Sequence, residues 1–238
     1  MSALGGDAGL PIAAVAVLDD ELRRGMYEFI RRARRPVARD EAATAVGISR
    51  KLAAFHLDKL VDAGLLTARF EPAGGIRKVG RTPKVYEPAD VDIRINIPQR
   101  RHDLLADILL EAVLTEGEGE TARQAALRAA DERGRQLGAA ERERARPGRL
   151  GVERALTCAE NVLAEYGFEP ARPAPGCLRL LNCPFHPLAG KAPDLVCGIN
   201  HAFLAGFLTG LQAPSVEATL APRAGECCVQ LHRAAQKS

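Results

Sequence analysis

The residues best suited to chemistry are six cysteines, all in the second half of the chain: Cys158, Cys177, Cys183, Cys197, Cys227 and Cys228. Cys183 lies in NCPFHPLA, Cys197 in DLVCGINHAF, and the vicinal pair Cys227–Cys228 in GECCVQL. A buried free thiol is an ordinary apolar residue when it stands alone. A set of thiols in a reduced chain points instead to metal binding or redox chemistry, ahead of disulfides. No CxxC pair occurs, which argues against a zinc ribbon. Thirteen residues separate Cys183 from Cys197, and twenty-nine separate Cys197 from Cys227. Separations that long let three elements each bring one thiolate to a common point, a geometry suited to an iron–sulfur cluster. Cys228 is ambiguous, because neighbours on a strand point to opposite faces. A regular strand offers Cys227, which shares its face with Val229 and Leu231, and a bent one offers both.

Two histidines keep other chemistry open. His201 follows Cys197 by four residues on one helix face, and His186 follows Cys183 by three, so zinc held by sulfur and imidazole is the alternative cofactor. Cys158 and Cys177 have no paired spacing and are expected to be structural. The vicinal pair also admits a thiol redox protein. No Ser-His-Asp, P-loop or dinucleotide pattern accompanies it, and no enzymatic activity is expected.

These residues need a frame. Residues 168–183 read as strands about a turn at 173–176, residues 193–211 as a helix apolar on all sides and therefore buried, and Val216–Leu220 and Cys227–His232 as two closing strands. Upstream, residues 99–115 form an amphipathic helix with Leu104, Leu105, Ile108, Leu109, Ala112 and Val113. A charged, alanine-rich helix spans 121–145, and another covers 152–166. The 99–115 stripe is assigned to a dimer contact, with packing inside the monomer as the other option. The fold class is α+β, with residues 167–238 as a cysteine-containing α/β sensor domain and 99–166 as a helical linker and dimerisation region.

The N-terminal part has a different character. Residues 1–99 carry 16 Lys and Arg against 13 Asp and Glu, whereas residues 100–238 carry 17 of each, so the net charge of +3 lies entirely in the first part. Residues 1–17 are expected to be disordered. A helix follows over Leu18–Ala33 and stops before Pro36. The segment Asp40–Gly64 then reads as two helices about a tight turn at Gly47, the second capped by Ser49 and stopped by Gly64, which together make a helix-turn-helix. Ala53, Leu57 and Leu60 share the core face. Ser49, Arg50, Lys51, Ala54 and Phe55 form the opposite face, where Arg or Lys reaches guanine edges in the major groove of double-stranded DNA. Strands at 65–70 and 84–87 enclose a glycine-rich hairpin with Arg77, Lys78, Arg81 and Lys84, a wing able to reach phosphates or the minor groove. The winged domain is bounded at 18–98.

GISRKLAAFHLDKLVDAGLL, followed by GRTPKVYEP, resembles the winged-helix domain of bacterial ArsR-type repressors over residues 18–90. The likeness implies operator binding by a homodimer on two-fold related half-sites. The cysteine-bearing half resembles the sensor half of SufR-like regulators, iron–sulfur repressors of cluster-assembly operons. That likeness implies that Cys183, Cys197 and Cys227, with Cys228 as the open choice, hold a 4Fe-4S or 2Fe-2S cluster, and that the cluster controls repression. No apolar run is long enough for a membrane span, and the first residues do not look like an export signal, so a cytoplasmic protein is expected.

Overall fold

The computed structural model describes residues 9–70, 82–146 and 148–235. Helices and two separate antiparallel sheets give an α+β chain. It divides into two compact units, Met1–Ile95 and Asn96–Ser238.

The first unit opens with α1 (Gly9–Val17), where disorder is expected from sequence. The apolar run over residues 10–17 has a use that its small residues conceal, since Ala14 is fully enclosed in the core of this unit. Helix α2 (Glu21–Ala33) begins at Asp20, whose carboxylate accepts the Arg23 N–H at 2.9 Å, and buries Met26 and Ile30. Strand β1 (Val37–Ala38) leads into α3 (Arg39–Ala45). Gly47 turns the chain at φ +69°, a conformation that favours glycine, and Ile48 N–H reaches back to the Ala43 carbonyl. Helix α4 (Arg50–Asp62) is capped by Ser49, whose Oγ accepts the Leu52 N–H at 3.2 Å. Gly64, at φ +71°, ends it while Leu65 N–H bonds the Leu60 carbonyl, closing the orphan carbonyls of the last turn. Strands β2 (Leu66–Phe70) and β3 (Lys84–Pro88) pair antiparallel, Ala68 opposite Tyr86, and β1 adds to the other edge of β3.

The second unit places α5 (His102–Leu114), α6 (Ala122–Ala145) and α7 (Val152–Glu165) in one core with β4 (Pro170–Ala174), β5 (Cys177–Leu180), α8 (Leu188–Lys191), α9 (Pro193–Gly210), β6 (Val216–Leu220) and β7 (Val229–Arg233). The sheet order is β4-β5-β7-β6, each pair antiparallel. Residues 99–166 are therefore not a separate linker. Leu105, Ile108, Leu156 and Leu163 share their core with Phe168, Phe203 and Leu231, so the chain divides near residue 95 and not at 166.

The reason is the α6–α9 seam. A Cβ added at Gly134 would stand 2.0 Å from the Phe203 carbonyl oxygen, and one at Gly138 2.1 Å from that of Phe207. In return, Gly206 and Gly210 face the Asp131 and Arg135 carbonyls, each at 2.1 Å. The pairings ascend together along both helices, which therefore run parallel with their backbones in direct contact. An alanine-rich α6 has few large side chains to bury, and it gains its packing by bringing backbone against backbone.

Candidate functional site

Three elements of the second unit carry the thiols to one place. Cys183 follows β5 in the turn whose Cys183 carbonyl accepts the His186 N–H. Cys197 sits in the second turn of α9. Cys227 and Cys228 precede β7 in a bend, with Cys227 N–H on the Leu180 carbonyl at 2.9 Å and the Cys228 carbonyl accepting from Ala221 N–H at 2.8 Å. The expected strand over 227–232 thus begins only at Val229. That bend lets both vicinal side chains be buried, at 4% and 9% exposure, where a regular strand would turn one of them outward.

Each of the four thiols lies close enough to feel the others: Cys227 faces Cys183 and Cys228, Cys228 faces Cys197, and Cys183 acts on both Cys228 and Cys197. Cys227 has one proton for two neighbours. Facing both and buried, it is held strongly toward the neutral thiol. Cys183 accepts from Cys227 and from the backbone N–H groups of Phe185 and His186, which lower its pKa against the effect of burial. Cys228 is drawn down to about 6, chiefly by donation from Cys227, with Cys197 and Asn200 adding to it against burial. Cys197 is pushed up to about 12 by burial, then by its bond to Cys228. Cys183 and Cys228 are shifted down and Cys197 and Cys227 up, so the four thiols titrate as one interacting set and not as independent groups.

The donor set fits a soft metal or an iron–sulfur cluster in its chemistry. Three elements contribute four thiols, and backbone N–H groups already face sulfur. Among the described residues no three His, Cys, Asp or Glu side chains are already grouped as metal ligands. None of the six cysteines is in a disulfide. Cys158 on α7 and Cys177 on β5 stand apart from the four. His201 Nε2 meets the Ala218 carbonyl at 3.0 Å, which leaves only Nδ1 for a metal, and His186 is exposed. Beside Cys183 lies a cavity of about 360 Å³, lined by Arg100, Asn182, His186 and Glu226 among others.

Asn200 escapes sequence reasoning. It lies three residues after Cys197, wholly buried, and its Nδ2 donates to Cys227 Sγ at 3.0 Å. The spacing on α9 was the available signal, since i and i+3 share a helix face.

In the first unit, α4 buries Ala53, Leu57 and Leu60, as expected, and His56 as well. Ser49, Arg50 and Lys51 are exposed, Ala54 is half-buried, and Phe55 is 54% exposed. Arg50 Nε meets Asp40 Oδ1 at 2.9 Å, and Lys84 Nζ meets Asp58 Oδ1 at 2.8 Å. A cavity of about 380 Å³ is lined by Arg39, Asp40, Arg50, Phe70, Pro83 and Lys84 among others. Arg39 Nε is buried without a hydrogen-bond partner among the described residues. Arg77, Lys78 and Arg81 lie outside the described residues. No helix of the described residues is long and apolar enough to cross a membrane. No family model, curated protein or solved structure matches the chain.

Proposed function

We propose that the chain is a DNA-binding transcriptional regulator, a repressor, whose first unit is a winged helix-turn-helix and whose second unit senses through an iron–sulfur cluster. The observation that carries the DNA-binding half is the exposed face of α4. It presents Arg50, Lys51 and Phe55 outward from a helix whose other face is locked into the core, directly after the Gly47 turn. An exposed helix of this kind enters the major groove, where each good contact to a base edge discriminates by about 1–3 kcal/mol. The neighbouring cavity with Arg39, Arg50 and Lys84 supports a phosphate path beside it. The ion pairs Arg50–Asp40 and Lys84–Asp58 are exposed and cheap to exchange for phosphate or guanine. Arg77, Lys78 and Arg81 are assigned to the wing on the sequence alone.

The sensor half rests on the four adjoining thiols. Cys183, Cys197 and Cys227 would hold the cluster, with Cys228 buried beside them as a fourth donor. When bound, the cluster supplies an oxygen- and redox-sensitive centre. The chain supplies the thiolates and the N–H groups of Phe185, His186 and Val229 that face sulfur. Operator affinity then follows the state of this site. The regulator acts as a homodimer, supported by the outer face of α5, where Leu110, Val113 and Leu114 are largely exposed. A second reading, zinc at the same site, is favoured by the presence of four thiols, which suits tetrahedral zinc.

The test begins with selection of bound duplexes from a random pool. Arg50→Ala should weaken the selected duplex about tenfold or more, and random DNA far less. Equal losses on both would refute the assignment of Arg50 to a base edge.

A further inference from the structure

Among the described residues of the second unit, Asn200 is the most enclosed polar side chain, with no exposure to solvent. Two facts set it apart from a core asparagine that merely satisfies its neighbours. Its Oδ1 meets no hydrogen-bond donor among the described residues. Its Nδ2, by contrast, points at the thiols, 3.0 Å from Cys227 Sγ, and the same amide also lies against Cys228. A buried polar atom left unpaired is unfavourable, and an apolar residue of the same shape would avoid it. The position is therefore poorly explained by packing alone and well explained by the other end of the amide.

Sulfur that binds a metal is anionic and needs donors around it. Groups that orient and stabilise ligands in this way are as much part of a metal site as the ligands. Cys183 has the backbone N–H groups of Phe185 and His186 for this purpose. The vicinal pair has the Val229 N–H and the side chain of Asn200. Because Asn200 stands one turn beyond Cys197 on α9, it also ties the bend before β7 to the helix that carries another of the thiols.

We propose that Asn200 is a positioning residue of the four-thiol site, donating its amide N–H to Cys227 so that the Cys227–Cys228 bend faces Cys183 and Cys197 in the arrangement that holds a soft metal. This rests on the reading of those thiols as a metal site, but not on whether a cluster or zinc is the resident group. Asn200 itself is not a ligand. Its carbonyl oxygen is the wrong donor for a thiolate-bound soft metal, and its nitrogen is already directed at sulfur.

The probe is cobalt(II), titrated anaerobically into the reduced, metal-free full chain, with the sulfur-to-cobalt charge-transfer absorption as the readout. Three proteins are compared: wild type, Asn200→Leu, which removes the donor and keeps similar bulk, and Asn200→Asp, which keeps the shape and replaces the donor with an acceptor. Wild type should form a one-to-one thiolate complex. Both variants should bind cobalt about tenfold to a hundredfold more weakly, the usual loss when such a supporting group is removed. Asn200→Leu should melt no lower than wild type. A purely structural role predicts the reverse, unchanged cobalt affinity with altered melting. Variants that bind as wild type does would overturn the inference and leave the metal-site reading standing. A wild type that shows no charge-transfer band at all would remove both. Should Asn200→Leu fail to fold, the Asn200→Asp comparison decides.

Discussion

Gly206→Ala tests whether the α6–α9 seam sets the frame of the thiol site. The new methyl group would lie 2.1 Å from the Asp131 carbonyl oxygen and 2.8 Å from its carbon, where ordinary contact begins near 3.4 Å. The helices must part by about 1.3 Å, because the obstacle is backbone and cannot rotate away. A gap of that size forfeits much of the dispersion contact along the seam, at Gly134, Gly138 and Gly210 as well. Overpacking of a tight core costs about 1–3 kcal/mol and sometimes more, and four interlocked glycines put this case at the upper end. The better helix propensity of alanine returns about 1 kcal/mol at most. A net loss of about 2–3 kcal/mol should lower the melting temperature by roughly 5–10 °C for a unit of this size. Displacing α9 also changes where Cys197 stands relative to Cys228, so thiol-dependent metal binding should fall together with stability. Differential scanning calorimetry and cobalt titration measure the two effects. Gly190→Ala is the control, since a Cβ there meets nothing within 4 Å. A Gly206→Ala protein that melts within 2 °C of wild type would refute the reasoning.

The outer face of α5 yields a second expectation. Leu110 and Val113 are 58% and 72% exposed, so Leu110→Glu with Val113→Glu should halve the mass measured by sedimentation equilibrium and leave the fold intact; an unchanged dimer mass would exclude this face. A third concerns pH. Glu120 is held at about 2, below its usual 4.5, first by its paired bonds to the Arg128 guanidinium and then by the Gly117 N–H. A depressed carboxylate contributes stability above its unfolded value and loses it as pH falls toward the folded one. Glu120→Gln should therefore flatten the acid limb of stability between about pH 4.5 and 2 in urea titrations, and leave the slope above pH 5 unchanged.

Local chemistry made α4 easy to read. Ser49 caps it, Gly47 and Gly64 bracket it, and its apolar positions repeat at helical spacing, all of which act within a few residues. The α9 core helix was legible for the same reason. What escaped depends on contacts far apart in sequence. The run that becomes α1 looks like a loose terminus until a core is there to receive Ala14. The two-residue β1 exists only because β3 offers an edge at Tyr86. Residues 99–166 looked like a linker because the partner of α6 lies some seventy residues later, although the GxxxG spacing in both helices was visible. Cys183, Cys197 and Cys227 are marked out by the resemblance, and their long separations allow three elements to bring them together. The burial of Cys228 beside them required the bend before β7, and spacing alone does not encode a bend.

Iron and acid-labile sulfide, determined per chain on protein purified without oxygen, bear most directly on the sensor assignment. A brown protein containing both, with each lost in Cys183→Ser and Cys197→Ser and retained in Cys158→Ser, is the predicted result. Colourless protein that takes up neither iron nor sulfide on anaerobic reconstitution would contradict it.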